Sequence, residues 1–202
     1  MRPPLLSPLS LTGPGAGLWM RLTLTLTLAL ALVGAPARAA AQAAAAHVEQ
    51  HLPQARLAGK GAFTWFALRI YDAELWVGDK GYRADAPGAA PLVLDLRYAR
   101  KLDGVKIAEA SAQQMEKIGA GTPARRAEWL ARMKAIFPDV KEGTQISGVY
   151  LPAGGALFYL DGKPLATVPD QEFAQAFFGI WLDPRTTAKA LREALLKDAA
   201  PK

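Results

Sequence analysis

Residues 144–168, TQISGVYLPAGGALFYLDGKPLATV, are the stretch that decides the fold class. They contain three strand-like runs, at 144–152, 156–161 and 163–168. Asp161-Gly162 joins the second run to the third, and this dipeptide favours a two-residue hairpin turn, in which both central positions need a positive φ. The first two runs are joined by a short loop that contains AGG. The stretch therefore predicts a three-stranded antiparallel meander.

Upstream of the meander, more strands and two helices are predicted. Strand signals run from Arg56 to Val77, interrupted at Gly59 and Gly61, and LVLDLRYA at 92–99 alternates in the same way. A helix is expected between a cap at Asp103 and a left-handed stop at Gly119. A second helix should start at Thr122-Pro123, because threonine caps helices and proline suits their first position, and it should end at Pro138.

Two more helices are predicted downstream. The first follows Asp170 and has a wide aromatic face, and the second spans 187–197 with Leu191 and Leu195 facing inward. Strands, two helices, strands and two helices thus follow one another along the chain. Segregated blocks of this kind predict an α+β fold, a mostly antiparallel sheet with helices packed on one face, in one domain at 54–202.

The N-terminal part of the chain has the pattern of a secretory leader. Met20-Arg21 is followed by LTLTLTLALALVG and then by APARAAAQA, with small residues at the spacing that signal peptidase requires. The alternative is a retained membrane anchor, but the apolar run is shorter than the ~20 residues that span a bilayer. We expect residues 1–39 to be removed, with Met1 or Met20 as the start, a flexible N-terminus at 40–53 and a periplasmic location.

Composition excludes several classes of protein. The chain of 202 residues has no cysteine, so a disulfide framework, a thiolate nucleophile and a zinc ribbon are ruled out. The net charge is +6, but three arginines lie in the leader, which leaves 21 basic residues against 18 acidic ones. So small an excess argues against nucleic acid as a partner and remains compatible with weak contact to an anionic membrane surface. No cofactor is indicated.

The two histidines, His47 and His51, are spaced to chelate a metal if they lie on a helix. Their spacing lacks the H-E-x-x-H order, and no third ligand can be named. A solvated N-terminal turn is the alternative that we favour, and no metal site is predicted. A Ser-His-acid arrangement is not expected either, since neither histidine lies in the part that is predicted to be folded.

Arg69 lies in WFALRIYDAELWVG at 65–78, which alternation places on one strand face with Trp65 and Tyr71. An arginine on an apolar face needs an anion. Either Asp95 or Glu74 pairs with it, or Arg69 and the Tyr71 hydroxyl capture the carboxylate of a ligand.

Four blocks of the sequence together resemble a known family. They are LAGKGAFTWFALRIYDAELWVG, LDLRYARKLDGVKIAEAS, FPDVKEGTQISGVYLPAGGALFYLDGK and FAQAFFGIWLDPRT. In this order they resemble the chalcone-isomerase-like proteins of bacterial envelopes, over residues 54–198. The resemblance implies an α+β open-faced β-sandwich, with a long antiparallel sheet, helices against it and a cleft between them.

The resemblance also indicates which residues to examine. The cleft of true chalcone isomerases holds a threonine, a tyrosine, an asparagine and an arginine. By the resemblance, the threonine corresponds to Phe66 and the tyrosine to Ile107, while the asparagine falls near Gln114 and the arginine near Arg56. Phe66 and Ile107 cannot donate hydrogen bonds to a developing oxyanion, an interaction worth ~3 kcal/mol per donor. The resemblance therefore implies a protein without catalytic residues.

Relatives in the wider family bind fatty acids through an arginine and a tyrosine. A small apolar acid or lipid in the cleft is then the expected ligand. Arg56 is the preferred clamp, because alternation puts Arg69 on the strand face opposite Phe66. Two alternatives stay open: an isomerase or lyase with non-standard cleft residues, and a structural envelope protein without a ligand.

Overall fold

The computed structural model describes residues 44–201, which form five helices and six strands. The leader and its cleavage site lie outside the described residues. Within 44–201, no helix is long and apolar enough to cross a bilayer. The helices are α1 (Ala46–His51), α2 (Gly104–Lys117), α3 (Pro123–Ile136), α4 (Gln171–Leu182) and α5 (Lys189–Leu195), and the strands are β1 (Arg56–Trp65), β2 (Leu68–Val77), β3 (Leu92–Tyr98), β4 (Gln145–Leu151), β5 (Gly155–Leu160) and β6 (Lys163–Val168).

The six strands form one open antiparallel sheet in the order β1-β2-β3-β4-β5-β6, so each strand pairs with its neighbour in sequence. The meander predicted at 144–168 is confirmed. Asp161 and Gly162 form the turn between β5 and β6, with φ values of 48° and 77°. The α+β fold class and the antiparallel sheet are therefore as predicted.

Helices α2 to α5 cover one face of the sheet, which we call the inner face. Two predicted caps are present: the Thr122 hydroxyl accepts a hydrogen bond from the Arg125 N–H at 3.2 Å, and the Asp170 carboxylate accepts one from the Phe173 N–H at 3.0 Å. The inner core lies mostly between the sheet and α4, whose buried side chains include the whole predicted aromatic face (Phe173, Ala174, Phe177, Phe178 and Trp181).

Helix α1 packs on the opposite, outer face of the sheet. Its Val48 and the following Leu52 join a second, smaller core with Trp76, Val93, Val149 and Tyr159. His47 is also buried. The expectation of a solvated N-terminal turn is therefore wrong for this segment, because a helix of six residues is enough to cover the apolar patch on the outer face.

Sequence reasoning misplaced the break between the first two strands. β1 runs through Gly59 and Gly61, and the chain turns instead at Phe66 and Ala67, with φ values of 45° and 61°. The two glycines are explained by α5, which crosses β1 so closely that a Cβ at Gly59 would lie 2.1 Å from the Ala194 carbonyl oxygen. Residues 65–78 are thus one side of a hairpin together with its turn, rather than a single strand.

The C-terminal segment returns to the start of the sheet. The Asp198 N–H donates to the Ala58 carbonyl at 2.8 Å, and the Ala199 carbonyl accepts from the Tyr82 N–H at 2.7 Å. Ala199 is buried. The last residues described are therefore part of the fold and connect to β1 and to the β2–β3 loop.

Candidate functional site

Aromatic side chains fill the space between the sheet and α4. The Phe177 ring lies 5.1 Å from Phe158, 5.4 Å from Trp181 and 5.9 Å from Phe137, centroid to centroid. Most of these contacts are edge-to-face, the geometry that aromatic pairs prefer. A cleft was expected here, but in the part of the chain that the structure describes this region is a packed core.

Two concavities are found elsewhere. One, of about 460 Å³, lies between the β2–β3 loop and Pro201, and the other, of about 250 Å³, lies between α2 and α3. Neither lies between the sheet and α4, so neither corresponds to the expected cleft.

The β1–β2 hairpin carries a continuous apolar strip on its inner face. Phe63 stacks on Tyr71 across the strands, with ring centroids 5.2 Å apart, and Trp65 pairs with Leu68 on the same face. Phe63 and Tyr71 are half-buried, while Trp65 is 63% and Leu68 52% exposed. We call these four residues the hairpin strip. It leads from the turn to Trp181 of the inner core.

The polar groups at the inner end of the strip are phenols. The Tyr71 hydroxyl accepts a hydrogen bond from the Trp181 indole N–H at 2.9 Å, and the Tyr98 ring lies 6.0 Å away. Burial raises the pKa of Tyr71 and of Tyr98 above the ordinary value of a phenol, which already lies well above neutrality. Both phenols therefore keep their protons at neutral pH and can act as neutral donors.

Arg69 does not lie on the face that alternation predicted. Between the pairs Phe63–Tyr71 and Thr64–Arg69, β1 advances by one residue and β2 by two, so that Ile70 forms a bulge. A bulge reverses the alternation beyond it. Arg69 thus lies on the outer face with Asp72, to which its Nε donates at 2.9 Å.

The proposed pairing of Arg69 with Asp95 or Glu74 is therefore wrong. The observed partner, Asp72, forms an exposed pair with Arg69. Joint capture of a ligand carboxylate by Arg69 and the Tyr71 hydroxyl is also excluded by the geometry, because Tyr71 faces Trp181 on the inner face.

The four candidates that the resemblance indicated do not come together. Phe66 lies in the turn between β1 and β2, where its side chain is 82% exposed. The expectation that it lines a cleft is therefore wrong. Arg56 lies at the other end of β1, where its guanidinium donates to the carbonyls of Asp198 and Ala200. Its charge is thus engaged by the C-terminal segment.

The other two candidates lie on α2. Ile107 is half-buried against the inner core. Gln114 is close to the start of α5, where its Oε1 accepts a hydrogen bond from the Thr187 hydroxyl at 2.7 Å. Whether these residues contact a ligand stays a prediction.

Sequence reasoning missed a buried polar cluster under α1. His47 Nε2 lies 2.9 Å from the Ser147 hydroxyl and 3.6 Å from Asp95 Oδ1, and His51 Nε2 lies 2.6 Å from the Tyr159 hydroxyl. Asp95 and Ser147 are directly opposite each other on β3 and β4, so a correct prediction of the strand register would have placed these two polar residues together.

This cluster resembles a catalytic triad only in composition. A triad uses both imidazole nitrogens, one facing the serine and the other the carboxylate. Here the same nitrogen, Nε2, faces both Ser147 and Asp95. No group of His, Asp and Glu side chains within residues 44–201 could hold a metal ion. The cluster is best explained as the polar contact that fixes α1 on the sheet.

Comparisons with known proteins agree with this architecture. Residues 38–197 match the sequence model of a family described as chalcone isomerase-like. An uncharacterized protein of Haemophilus influenzae is 29% identical over 138 residues, which are 68% of this chain and 66% of that protein, slightly under two thirds of its length. A fatty-acid binding protein of Arabidopsis thaliana has a similar fold, with a TM-score of 0.58 and 12% identity over 73% of this chain and 89% of that one.

Proposed function

The chain belongs to the chalcone isomerase-like family, and from that premise we propose that it is an exported, non-catalytic protein that binds a small apolar acid or lipid. The proposed site is the hairpin strip, at the end of the sheet–helix interface that lies beside the β1–β2 hairpin. The observation that carries the proposal is the hairpin strip, which connects solvent to the inner core through half-buried aromatic side chains.

The strip suits the chain of an apolar ligand. Phe63, Trp65 and Leu68 offer apolar surface that water covers in the free protein, and covering it with a hydrocarbon chain is favourable by ~25 cal/mol per Å². The packed aromatic core blocks deeper entry. We therefore place the ligand along the hairpin rather than in the middle of the sheet–helix interface.

Tyr71 is suited to hold the polar head of such a ligand. It accepts its hydrogen bond from Trp181, so its own proton is available to donate to a carboxyl oxygen. A phenol keeps its proton at neutral pH, and burial raises the pKa of Tyr71 further. A neutral phenol in apolar surroundings suits an uncharged carboxyl group, because a buried carboxylate would need a positive partner that the described residues at this end of the strip do not supply.

The composition of the rest of the site favours binding over catalysis. A cyclising isomerase needs hydrogen-bond donors at two positions that, by the resemblance, are Phe66 and Ile107 in this chain. Neither side chain has a donor, and Phe66 lies in the turn. The Arabidopsis thaliana protein with the similar fold is a fatty-acid binding protein, which supports the same reading.

The test is a binding measurement with matched variants. Protein purified from its own cell envelope should give a native mass that exceeds its denatured mass by an apolar acid or lipid, and the delipidated protein should take up a fluorescent fatty acid. Tyr71→Phe should weaken this uptake at least tenfold. Trp181→Phe, which leaves the Tyr71 hydroxyl in place, and Tyr82→Phe, in the β2–β3 loop, should weaken it less.

Equal weakening by Tyr71→Phe and Trp181→Phe would show that the phenol has no special role. If no ligand is found by either method, the packed core favours the alternative of a structural envelope protein. Export is tested separately by N-terminal sequencing of the native protein: we expect a mature N-terminus between Arg38 and Ala43, and finding Met1 or Met20 on most of the protein would overturn that part.

A further inference from the structure

We propose that the tip of the β1–β2 hairpin docks on the surface of an anionic lipid bilayer, with Trp65, Phe66 and Leu68 entering the interfacial region. These three residues are consecutive along the turn apart from Ala67. They are three of the four large apolar side chains that are exposed within residues 44–201, and Phe66, at 82%, is the most exposed of them. The inference does not require that a ligand binds in the hairpin strip.

The turn itself is unfavourable for folding, which is the strongest reason to look for a partner. Both turn residues have positive φ, a conformation that two-residue hairpins normally give to Asn-Gly. Here the positions hold Phe66 and Ala67, for which the left-handed region is strained. Phe66 is also left in water. A residue that is locally strained and poorly solvated in the free protein is expected where it makes a contact elsewhere.

The kinds of side chain at the tip suit a membrane interface. Tryptophan and other large apolar residues insert at the boundary between lipid headgroups and acyl chains. The Phe66 ring packs against Trp65, with centroids 5.0 Å apart, so the two aromatic side chains form one projecting unit. Leu68 lies opposite Trp65 in the strand pairing.

The charges beside the tip specify an anionic surface. The Ala99 N–H donates to the Ile70 carbonyl at 2.9 Å, which places the segment 98–101 next to the hairpin. That segment contributes Arg100 and Lys101, and the hairpin residues 62–72 contribute Arg69 and its partner Asp72. Three cations against one carboxylate give this region a net positive charge, which anionic lipid attracts.

Fluorescence tests the docking directly. Trp76, Trp129 and Trp181 are buried, so a change in tryptophan emission from the described residues on adding vesicles reports mainly on Trp65. Vesicles that contain phosphatidylglycerol should shift the emission to shorter wavelength, and lipids brominated in the acyl chain should quench it. The shift should be absent from Trp65→Ser, small with phosphatidylcholine alone, and reduced by added salt.

One variant separates docking from folding. Phe66→Asn combined with Ala67→Gly supplies the turn that the backbone favours, so its melting temperature should equal or exceed that of the parent. Its vesicle affinity should nonetheless fall at least about tenfold, because one large apolar side chain no longer enters the lipid. Val105→Ser, which removes the fourth exposed apolar side chain, is the matched control and should bind as the parent does.

The charge argument has its own pair of variants. Arg100→Gln should weaken binding to phosphatidylglycerol vesicles several-fold, and Lys163→Gln, at the start of the opposite edge strand β6, should not. Unchanged vesicle binding by the Phe66→Asn, Ala67→Gly double variant, the turn variant, would overturn the proposal. So would a turn variant that changes only the oligomeric state in light scattering, since the tip would then contact a second copy. Fatty-acid uptake by the turn variant reports on the proposed function separately, because residues 66 and 67 lie outside the hairpin strip.

Discussion

Replacing Gly59 by alanine should be among the most damaging single-methyl changes in this protein. Gly59 lies where α5 crosses β1, and the added Cβ would be 2.1 Å from the Ala194 carbonyl oxygen and 2.6 Å from that of Leu195. Both atoms belong to the backbone of α5, so no side chain can rotate out of the way. Relief requires the helix to move by about an ångström.

The expected magnitude follows from what α5 buries. Overpacking that shifts an element typically costs ~1–3 kcal/mol. Complete undocking of α5 would expose Leu191 and Leu195, which are almost fully buried, at about 1.5–3 kcal/mol each. We therefore expect Gly59→Ala to lower the free energy of unfolding by about 3 kcal/mol, with undocking as the upper limit.

Two other glycines provide matched controls. A Cβ at Gly61 would lie 2.9 Å from Leu191 Cδ1, the end of a flexible side chain, and 3.1 Å from the Ala194 Cβ, which has to give way only slightly. Gly61→Ala should therefore cost about 1 kcal/mol. At Gly78 no atom lies within 4 Å of the added carbon, and Gly78→Ala should change the free energy of unfolding by less than about 0.5 kcal/mol.

Urea unfolding followed by circular dichroism measures all three variants on one scale. The order of loss should be Gly59, then Gly61, then Gly78. A Gly59→Ala protein as stable as the parent, or an equal loss at Gly78, would refute the argument that close approach of α5 explains glycine in the middle of β1.

Three further predictions concern charge, pH and activity. Arg69→Met should lower the free energy of unfolding by less than about 1 kcal/mol, because its partner Asp72 is exposed; a loss near 3 kcal/mol in urea would contradict the assigned partner. Burial, and secondarily the charge of His47, lower the pKa of His51 in the folded protein. The unfolded chain therefore binds a proton at His51 more readily, and the free energy of unfolding should fall as pH drops through about 6.5. His51→Asn should reduce the fall in urea midpoint between about pH 7.5 and 5.5, and an unchanged fall would show that other groups cause the pH dependence. The purified protein should not accelerate chalcone cyclisation above buffer, and turnover that scales with protein and survives repurification would show the opposite.

The elements that sequence reasoning predicted well are those with a strong local signal. The turn at Asp161-Gly162 and the caps at Thr122 and Asp170 depend on a few adjacent residues whose backbone preferences agree with the fold. The aromatic face of α4 is a periodic signal over a whole helix. These features are sufficient to identify the α+β class, and the comparisons support the family.

The errors arose where distant contacts overrule local preference. Gly59 and Gly61 were interpreted as breaks in a strand, although they accommodate a helix that lies more than a hundred residues later in the chain. The turn at Phe66 and Ala67 has no turn residues, and the bulge at Ile70 has no sequence mark, so the face of Arg69 was assigned by an alternation that the bulge reverses. Helix α1 is too short to show a period.

The return of the C-terminal segment to β1 has a consequence for the order of folding. All strand pairs in the sheet are between sequence neighbours, and such local pairings can form while a chain is still growing or emerging from a channel. The hydrogen bonds of Asp198 and Ala199 to Ala58 and Tyr82, and those that Arg56 donates to the carbonyls of Asp198 and Ala200, cannot form until residues 198–200 have been added to the chain. These contacts therefore form after all six strands have been made, and until then β1 is held in the sheet by its pairing with β2.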